Sequence, residues 1–188
     1  MRTVLIGGIG NVLLGDDGVG PFVVNGLESQ FDFQENVELA DLGTPGLDLP
    51  LYLSGATAVI LIDSARFDGE PGSFRRFQKQ DLLRIPLHTR IDPHSPALRE
   101  SISLVELMGT MPRELLLIGV QGRCFDPGAT LSTAVRQSVP QVVDAVRREL
   151  YELDVSCEPK ANAGNPGIWW DPIFRQREEQ QCARYKSD

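Results

Sequence analysis

The sequence predicts an α/β protein with parallel strands, because apolar runs typical of strands alternate with stretches of helical periodicity. Residues 4–6 form a short apolar run that ends in glycines, and residues 19–31 then place apolar side chains at helical spacing. Residues 37–40 have the character of a second strand, which completes one βαβ unit. The uninterrupted apolar run at residues 58–62 is typical of a central strand that is buried on both faces of a parallel sheet.

The remaining elements follow from the same two periodicities and from glycine and proline positions. They are a short helix at residues 47–53, a half-exposed strand at 72–77, a helix at 98–108, a buried strand at 114–120 and a long helix at 132–153. Together with the first βαβ unit, these elements predict a single α/β domain at residues 1–154.

Residues 155–188 differ from the domain in composition, since they are mostly polar and are interrupted by glycine and proline. This C-terminal appendage nevertheless carries both tryptophans of the chain, Trp169 and Trp170, beside other apolar residues. An aromatic side chain of this kind can bury about 150–250 Å². We therefore expect the tryptophans to anchor the appendage to the domain's own surface, and docking onto a partner protein is the alternative.

Charge and cysteine content argue against several classes of function. A net charge of −8 at pH 7 leaves no large basic face for a nucleic-acid partner. The three cysteines include no Cys-x-x-Cys pair, which favours free thiols in a reducing compartment over a disulfide framework or a structural zinc site. The N-terminus lacks the pattern of a secretory signal, and no apolar run approaches the roughly 18 residues of a membrane span. We expect a cytoplasmic protein without a membrane partner.

The first candidate site is the glycine-rich stretch that follows the first strand. Asp16 and Asp17 stand side by side directly before a predicted helix that has Pro21 near its start. One aspartate can be explained as an N-cap, because the free N–H groups of a helix N-terminus attract carboxylates. The second aspartate is either a solvated neighbour or part of a functional site, and this stretch alone leaves both interpretations open.

Other polar residues occur where further strands end. Asp41 follows the second predicted strand and Asp63 follows the third, and ligands of α/β sheets bind outside the carboxyl ends of parallel strands. His94 lies on a loop between two prolines, away from any apolar stripe. Two carboxylates and one imidazole suit a divalent ion such as zinc, nickel or manganese. Spacing alone does not distinguish these residues from scattered polar ones.

Several segments, taken in order, carry a resemblance to a known family. They are Gly8-Ile-Gly-Asn-Val-Leu-Leu-Gly-Asp-Asp-Gly-Val-Gly, Asp41-Leu-Gly-Thr-Pro-Gly, Ile60-Leu-Ile-Asp63, His94 and Ile118-Gly-Val-Gln. In order and spacing, residues 2–150 resemble the hydrogenase maturation proteases. The resemblance implies a three-layer sandwich in which a twisted, mainly parallel five-stranded sheet lies between helices. It also implies an endopeptidase that removes the C-terminal extension of the large subunit of a nickel–iron hydrogenase after nickel insertion.

The resemblance also assigns roles to individual residues of this sequence. The catalytic residues and metal ligands that it implies are Asp17, Asp63 and His94. The substrate-binding residues that it implies are Asn11, Asp41, Gly43 and Thr44. The implied cofactor is a divalent metal, nickel presented by the substrate, and the implied partner is the hydrogenase large-subunit precursor, on which the protein would act as a monomer. Ser95 departs from the family, which usually has glutamine directly after the histidine.

The sequence also indicates a type of chemistry. No serine, cysteine or lysine stands beside a plausible base, which favours attack by water on a metal-polarised carbonyl group over a covalent nucleophile. A carboxylate would act as general base, and the sequence does not assign which one. One alternative is a non-catalytic chaperone that senses the metal of the immature subunit. A nucleotide-binding module is less favoured, because the glycines lack the spacing of either phosphate-binding motif.

Overall fold

The structure, a computed structural model, describes residues 3–84, 98–164, 168 and 170. The helices in these residues are α1 (Val19–Gln30), α2 (Leu49–Leu53), α3 (Lys79–Arg84), α4 (Leu98–Leu107) and α5 (Thr133–Glu152). The strands are β1 (Val4–Ile9), β2 (Phe31–Phe33), β3 (Val37–Gly43), β4 (Ala58–Ala65), β5 (Phe74–Gln78), β6 (Glu114–Gln121) and β7 (Cys157–Pro159). Short 3-10 turns at Gly15–Gly18 and Gly46–Asp48 precede α1 and α2.

The main sheet of the described residues has five strands in the order β3-β1-β4-β6-β5. Neighbouring strands from β3 to β6 are parallel, and β5 pairs antiparallel with β6 at one edge. The strand that contains the apolar run at residues 58–62, β4, is central in the sheet and buried along its whole length. The predicted α/β class with a mainly parallel five-stranded sheet is therefore confirmed.

Three strands continue further than their apolar runs indicate. β1 runs through Gly7 and Gly8 to Ile9, β3 runs through Asp41 to Gly43, and β4 runs through Asp63 to Ala65. Asp41 therefore lies inside β3 rather than after it. Glycine is required at these strand positions because neighbouring atoms fill the space that a side chain would occupy. A Cβ on Gly8 would lie 2.5 Å from the backbone of Gly20. Asp63 consequently lies inside β4 rather than after it, so strand alternation decides which face of the sheet its side chain occupies.

Helices cover both faces of the sheet and form the outer layers of a three-layer sandwich. On one face, α1 and α5 pack against alternate residues of β4 such as Ile60 and Ile62. On the other face, α2 and α4 pack against the intervening residues Val59 and Leu61. A strand buried on both faces favours apolar residues at successive positions, which explains the uninterrupted apolar run at residues 58–62 of β4.

A second, two-stranded sheet was not predicted from the sequence. Phe31, expected at the end of the first helix, instead begins β2, which pairs antiparallel with β7 of the appendage. The appendage also contributes Val155 and Ile168 to the buried residues of the molecule, with 6% and 1% of their surface exposed. The described part of residues 155–188 therefore packs on the domain, as expected for self-docking. Short pairings between distant segments leave little periodic signal in either one.

The long helix α5 is preceded by Ser132, whose hydroxyl accepts a hydrogen bond from the amide of Val135 at 3.4 Å. This is an N-cap, which accounts for the start of the helix. The apolar stripe of α5 includes Val142 and Val146 and faces the sheet. Within the part of the chain that the structure describes, no helix is long and apolar enough to cross a membrane.

Glu149 on α5 is a buried carboxyl group that forms an ion pair with Arg76 of β5. Burial raises the pKa of Glu149 above its ordinary value, and the attraction of Arg76 opposes this only in part. Folding therefore favours the protonated form, so this stability contribution is complete below the unfolded-state pKa and is lost as pH rises through the folded-state pKa. We expect Glu149→Gln to gain stability relative to the wild type as pH rises from about 4 to 7.

Thermal melts of the two proteins across this pH range measure the effect. Glu152→Gln is the matched control, because the Glu152 side chain is 63% exposed and lies 3.6 Å from the same guanidinium group. Glu152→Gln removes a partner of Arg76 without removing a buried carboxyl group. Comparison with Glu149→Gln therefore separates these two effects. A difference in melting temperature that shifts in favour of the wild type with rising pH contradicts the prediction.

Candidate active site

The glycines of the first motif allow α1 to start directly against the ends of two strands. A Cβ on Gly20 would lie 2.3 Å from the carbonyl oxygen of Ile9 and 2.4 Å from that of Ile62. Gly10 has a φ of +132°, and a Cβ there would lie 1.8 Å from the carbonyl oxygen of Asp17. The 3-10 turn at Gly15–Gly18 carries Asp16 and Asp17 and is called the acidic turn below. Side chains at Gly10 and Gly20 would push this turn away from the sheet. The motif therefore places carboxylates at the carboxyl ends of β1 and β4.

Asp17 is held between these two strand ends and is only 1% exposed. Its Oδ2 accepts a hydrogen bond from the amide of Asn11 at 2.7 Å, and its Oδ1 accepts one from the hydroxyl of Ser64 at 3.0 Å. One oxygen is thus oriented by the turn after β1 and the other by the end of β4. Hydrogen bonds of this kind fix the position of a functional carboxylate.

Asp16 is fully buried and serves a different part of the molecule. Its carboxylate accepts hydrogen bonds from the backbone amides of Arg123, Cys124 and Ser132 at 2.7, 2.9 and 2.6 Å. The amide of Asp16 also donates to the carbonyl oxygen of Cys124 at 2.8 Å. Asp16 therefore ties the acidic turn to the connection between β6 and α5.

These contacts correct the interpretation of Asp16 and Asp17 as a helix cap and a solvated neighbour. The N-cap residue of α1 is Gly18, no side chain caps this helix, and both aspartates are buried. Groups from distant parts of the chain bind these carboxylates in the folded protein. Backbone amides of distant loops and the hydroxyl of Ser64 donate hydrogen bonds to them and exclude water from them. Ser64 also overturns the expectation that no serine stands beside a plausible base.

Asp63 lies one residue before Ser64 in β4 and is 3% exposed. Because side chains alternate along a strand, and Ser64 contacts Asp17 on the α1 side, Asp63 faces the side covered by α2 and α4. Both carboxylates nevertheless belong to the same end of the sheet. His94 lies outside the described residues, so its proximity to the two aspartates remains a prediction. In the ranges described, no group of three or more His, Cys, Asp and Glu side chains could hold a metal ion.

The predicted substrate-binding segment comprises the end of β3 and the loop that follows it, and it lies beside the glycine-rich turn. The carbonyl oxygen of Gly43 accepts a hydrogen bond from the amide of Gly10 at 2.7 Å. Asp41 is exposed, and its Oδ1 accepts a hydrogen bond from the amide of Gly43 at 2.9 Å, which stabilises the irregular end of β3, where Gly43 has a φ of +54°. Thr44 is also exposed. The loop therefore presents polar groups to solvent at the same end of the sheet as Asp17.

Asn11, the other predicted substrate-binding residue, is half-buried and organises its own turn. The side-chain Oδ1 of Asn11 accepts a hydrogen bond from the backbone amide of Leu13 at 3.0 Å, while the backbone amide of Asn11 donates to Asp17. Ser64 is a site residue that the sequence analysis missed. Its position after Asp63 at the end of an apolar run was the one available signal, and strand periodicity does not show that its hydroxyl reaches Asp17.

Comparison with known proteins places this geometry in a family. A family model described as hydrogenase maturation protease matches residues 21–149, which include Asp63 and His94 but begin after Asp17. The hydrogenase expression/formation protein HupD of Bradyrhizobium diazoefficiens is 31% identical over 161 residues, or 85% of this chain and 84% of the relative. The hydrogenase 2 maturation protease of Escherichia coli is 26% identical over 158 residues, or 84% of this chain and 96% of that protein.

The solved structures agree with the sequence comparison. The hydrogenase maturating endopeptidase HybD from Escherichia coli superposes with a TM-score of 0.79 at 26% identity, over 86% of this chain and 99% of that one. A hydrogenase 2 maturation peptidase from a Thaumarchaeota archaeon superposes with a TM-score of 0.61 at 31% identity, over 80% and 99% of the two chains. This chain therefore belongs to the hydrogenase maturation protease family and is an endopeptidase, a hydrolase of peptide bonds.

Proposed function

We propose that this endopeptidase removes the C-terminal extension of a hydrogenase large-subunit precursor and recognises the nickel that the precursor already holds. The observation that carries the proposal is the pair of buried carboxylates, Asp17 and Asp63, at the end of the sheet where the loop after β3 is exposed. A peptide bound along that loop would pass the carboxylates. The family membership supplies the class of reaction.

The hydrogen bonds favour Asp17 over Asp16 as the carboxylate that contacts nickel. A carboxylate offers about four lone pairs. Within the described residues Asp16 uses three of these for backbone amides, whereas Asp17 accepts two hydrogen bonds, one on each oxygen. Asp17 thus has acceptor capacity left for a cation, and its orientation is already set. Asp16 has a structural role, since its hydrogen bonds hold the acidic turn to the connection between β6 and α5.

His94 would complete a set of two carboxylates and one imidazole, a combination that suits nickel and other divalent ions. The described chain enters α4 at Leu98, shortly after His94, and Leu98 packs on the same face of the sheet as Asp63. The proximity of His94 to Asp63 stays a prediction. Nickel of the substrate would polarise the scissile carbonyl group, and a site carboxylate would take a proton from the attacking water.

Ser64 is the basis of a second candidate mechanism, because its hydroxyl donates to Asp17 at 3.0 Å. A serine beside a carboxylate can act as a nucleophile when a base takes its proton. Ser64 and Asp17 are equally buried, at 1% exposed, so burial does not decide between the two mechanisms. The hydroxyl of Ser64 is directed toward Asp17, and substitution of Ser64 distinguishes a nucleophile from a group that only orients this carboxylate.

The experiment that tests the proposed function uses the purified large-subunit precursor with and without inserted nickel. We expect mass spectrometry to show loss of a C-terminal peptide only from the nickel-loaded precursor when this protein is added. Stable binding of the loaded precursor without any change in mass would instead indicate the metal-sensing chaperone. Equal cleavage of both forms would contradict nickel recognition.

The nucleotide-binding alternative loses its sequence support, because close packing of α1 on the strands accounts for Gly8, Gly10 and Gly20. Asp17 occupies the turn that a phosphate would enter, and its carboxylate accepts the Asn11 amide. A monomeric state and a cytoplasmic location remain predictions. Size-exclusion chromatography with light scattering measures the oligomeric state.

A further inference from the structure

The contacts of the appendage with α1 begin at the C-terminal end of this helix and continue from Gln30 to Ser29. β7 pairs with β2 directly after α1, and the amide of Lys160 then donates to the carbonyl oxygen of Gln30 at 2.8 Å. Further along, the amide of Gly164 donates to the carbonyl oxygen of Ser29 at 3.0 Å. Ile168 is 1% exposed. The hydrogen bonds hold residues 157–164 beside the C-terminal end of α1, while the acidic turn lies before its N-terminal end.

Trp170 lies beside the acidic turn itself. It lines a small cavity of about 10 Å³ together with Gly15, Gly18 and Phe22, and it is half-buried. This volume is near the lower limit for one water molecule, so little space remains between the groups that line the cavity. The guanidinium group of Arg136 lies 5.2 Å from the ring centroid of Phe22 and lines the same cavity.

Gly15 and Gly18 flank Asp16 and Asp17, so the cavity that Trp170 lines borders the turn on both sides of the carboxylates. The turn is otherwise held by the hydrogen bonds of Asp17 to β1 and β4 and by those of Asp16 to the connection before α5. We propose that Trp170 is a positioning residue of the protease, which holds the acidic turn against the sheet and so keeps Asp17 oriented toward the scissile bond. The assignment of Asp17 as the group that meets the substrate rests on the proposed function.

The test compares Trp170→Ala and Trp170→Phe in the full-length protein. Small misplacements of a catalytic group reduce the chemical step more than substrate binding, so we expect Trp170→Ala to lower kcat about tenfold and to change KM less than about threefold. Trp170→Phe keeps an aromatic ring in the cavity and should recover most of the activity. A rise in kcat would show that the tryptophan blocks the site, and would overturn the proposal.

Hydrogen exchange gives a measurement that does not depend on activity. The amide of Asn11 donates to Asp17, and we expect its exchange to accelerate about tenfold in Trp170→Ala, because the turn opens more often. The amide of Ile60 in the central strand should exchange as in the wild type. Equal acceleration of both amides would show a general loss of stability and would contradict a positioning role.

Val155→Ala is the matched control, since Val155 is a buried residue at the start of the appendage, in the cluster of α1 and α5. It should lower the melting temperature without slowing kcat. If the wild type fails to cleave the nickel-loaded precursor, the proposed function fails, whereas the exchange of the Asn11 amide still tests the positioning of the turn. If the wild type cleaves and Trp170→Ala has an unchanged kcat and unchanged exchange, only this inference is wrong.

Discussion

Asp17→Asn is expected to reduce cleavage of the nickel-loaded precursor by about 10²–10⁴-fold, the range for loss of a proton-transferring or charge-stabilising group. The substitution keeps the size of the side chain. An asparagine can still accept the hydrogen bond from the Asn11 amide and can donate its own amide to the Ser64 oxygen. Stability should change by no more than about 1 kcal/mol. Mass spectrometry of the precursor and a thermal melt measure the two effects.

Three further substitutions decide what a loss of activity means. Asp63→Asn and His94→Ala should abolish cleavage in the same way, and replacement of a histidine that the sequence predicts on a loop should leave the melting temperature nearly unchanged. A large fall in melting temperature of His94→Ala would indicate a structural histidine instead. Ser64→Ala should retain activity, since it removes one hydrogen bond to Asp17 but no charge. Complete inactivity of a folded Ser64→Ala would establish the serine as a participant in the reaction.

Asp16→Ala is expected to destabilise the protein by about 3 kcal/mol or more. Three backbone amides lose their acceptor, and each unpaired donor costs about 1–3 kcal/mol when it stays buried. For a chain of this size the loss corresponds to a fall in melting temperature of roughly 6–12 °C. Partial entry of water into the gap would place the result near the lower end of this range.

Asp126→Ala in the same connection provides the matched control. Asp126 is exposed, and its carboxylate is 3.5 Å from the sulfur of Cys124. Its removal should change stability by no more than about 0.5 kcal/mol. Similar melting temperatures for the two variants would show that Asp16 does not anchor the connection between β6 and α5. Residual activity of Asp16→Ala below its melting temperature would further separate the structural role of Asp16 from the catalytic role of Asp17.

The sequence by itself determined the fold class and the position of most elements. Short, uninterrupted apolar runs at β4 and β6 are typical of strands buried on both faces, and the alternation with amphipathic stretches predicts a parallel sheet. It also predicted Asp41 and Asp63 close to the carboxyl ends of two parallel strands, and they lie within the last three residues of β3 and β4. These inferences depend on the hydrophobic periodicity within single segments, and this periodicity is visible in the amino-acid sequence itself.

Only the tertiary structure decided what each polar residue of the site does. Asp16 and Asp17 are adjacent and identical in type, yet one binds amides more than 100 residues away and the other binds Asn11 and Ser64. The pairing of β2 with β7 and the return of Trp170 to the acidic turn also join distant parts of the chain. Hydrogen bonds and packing between distant segments impose no spacing on either segment, so a single sequence carries no pattern from which they could be inferred.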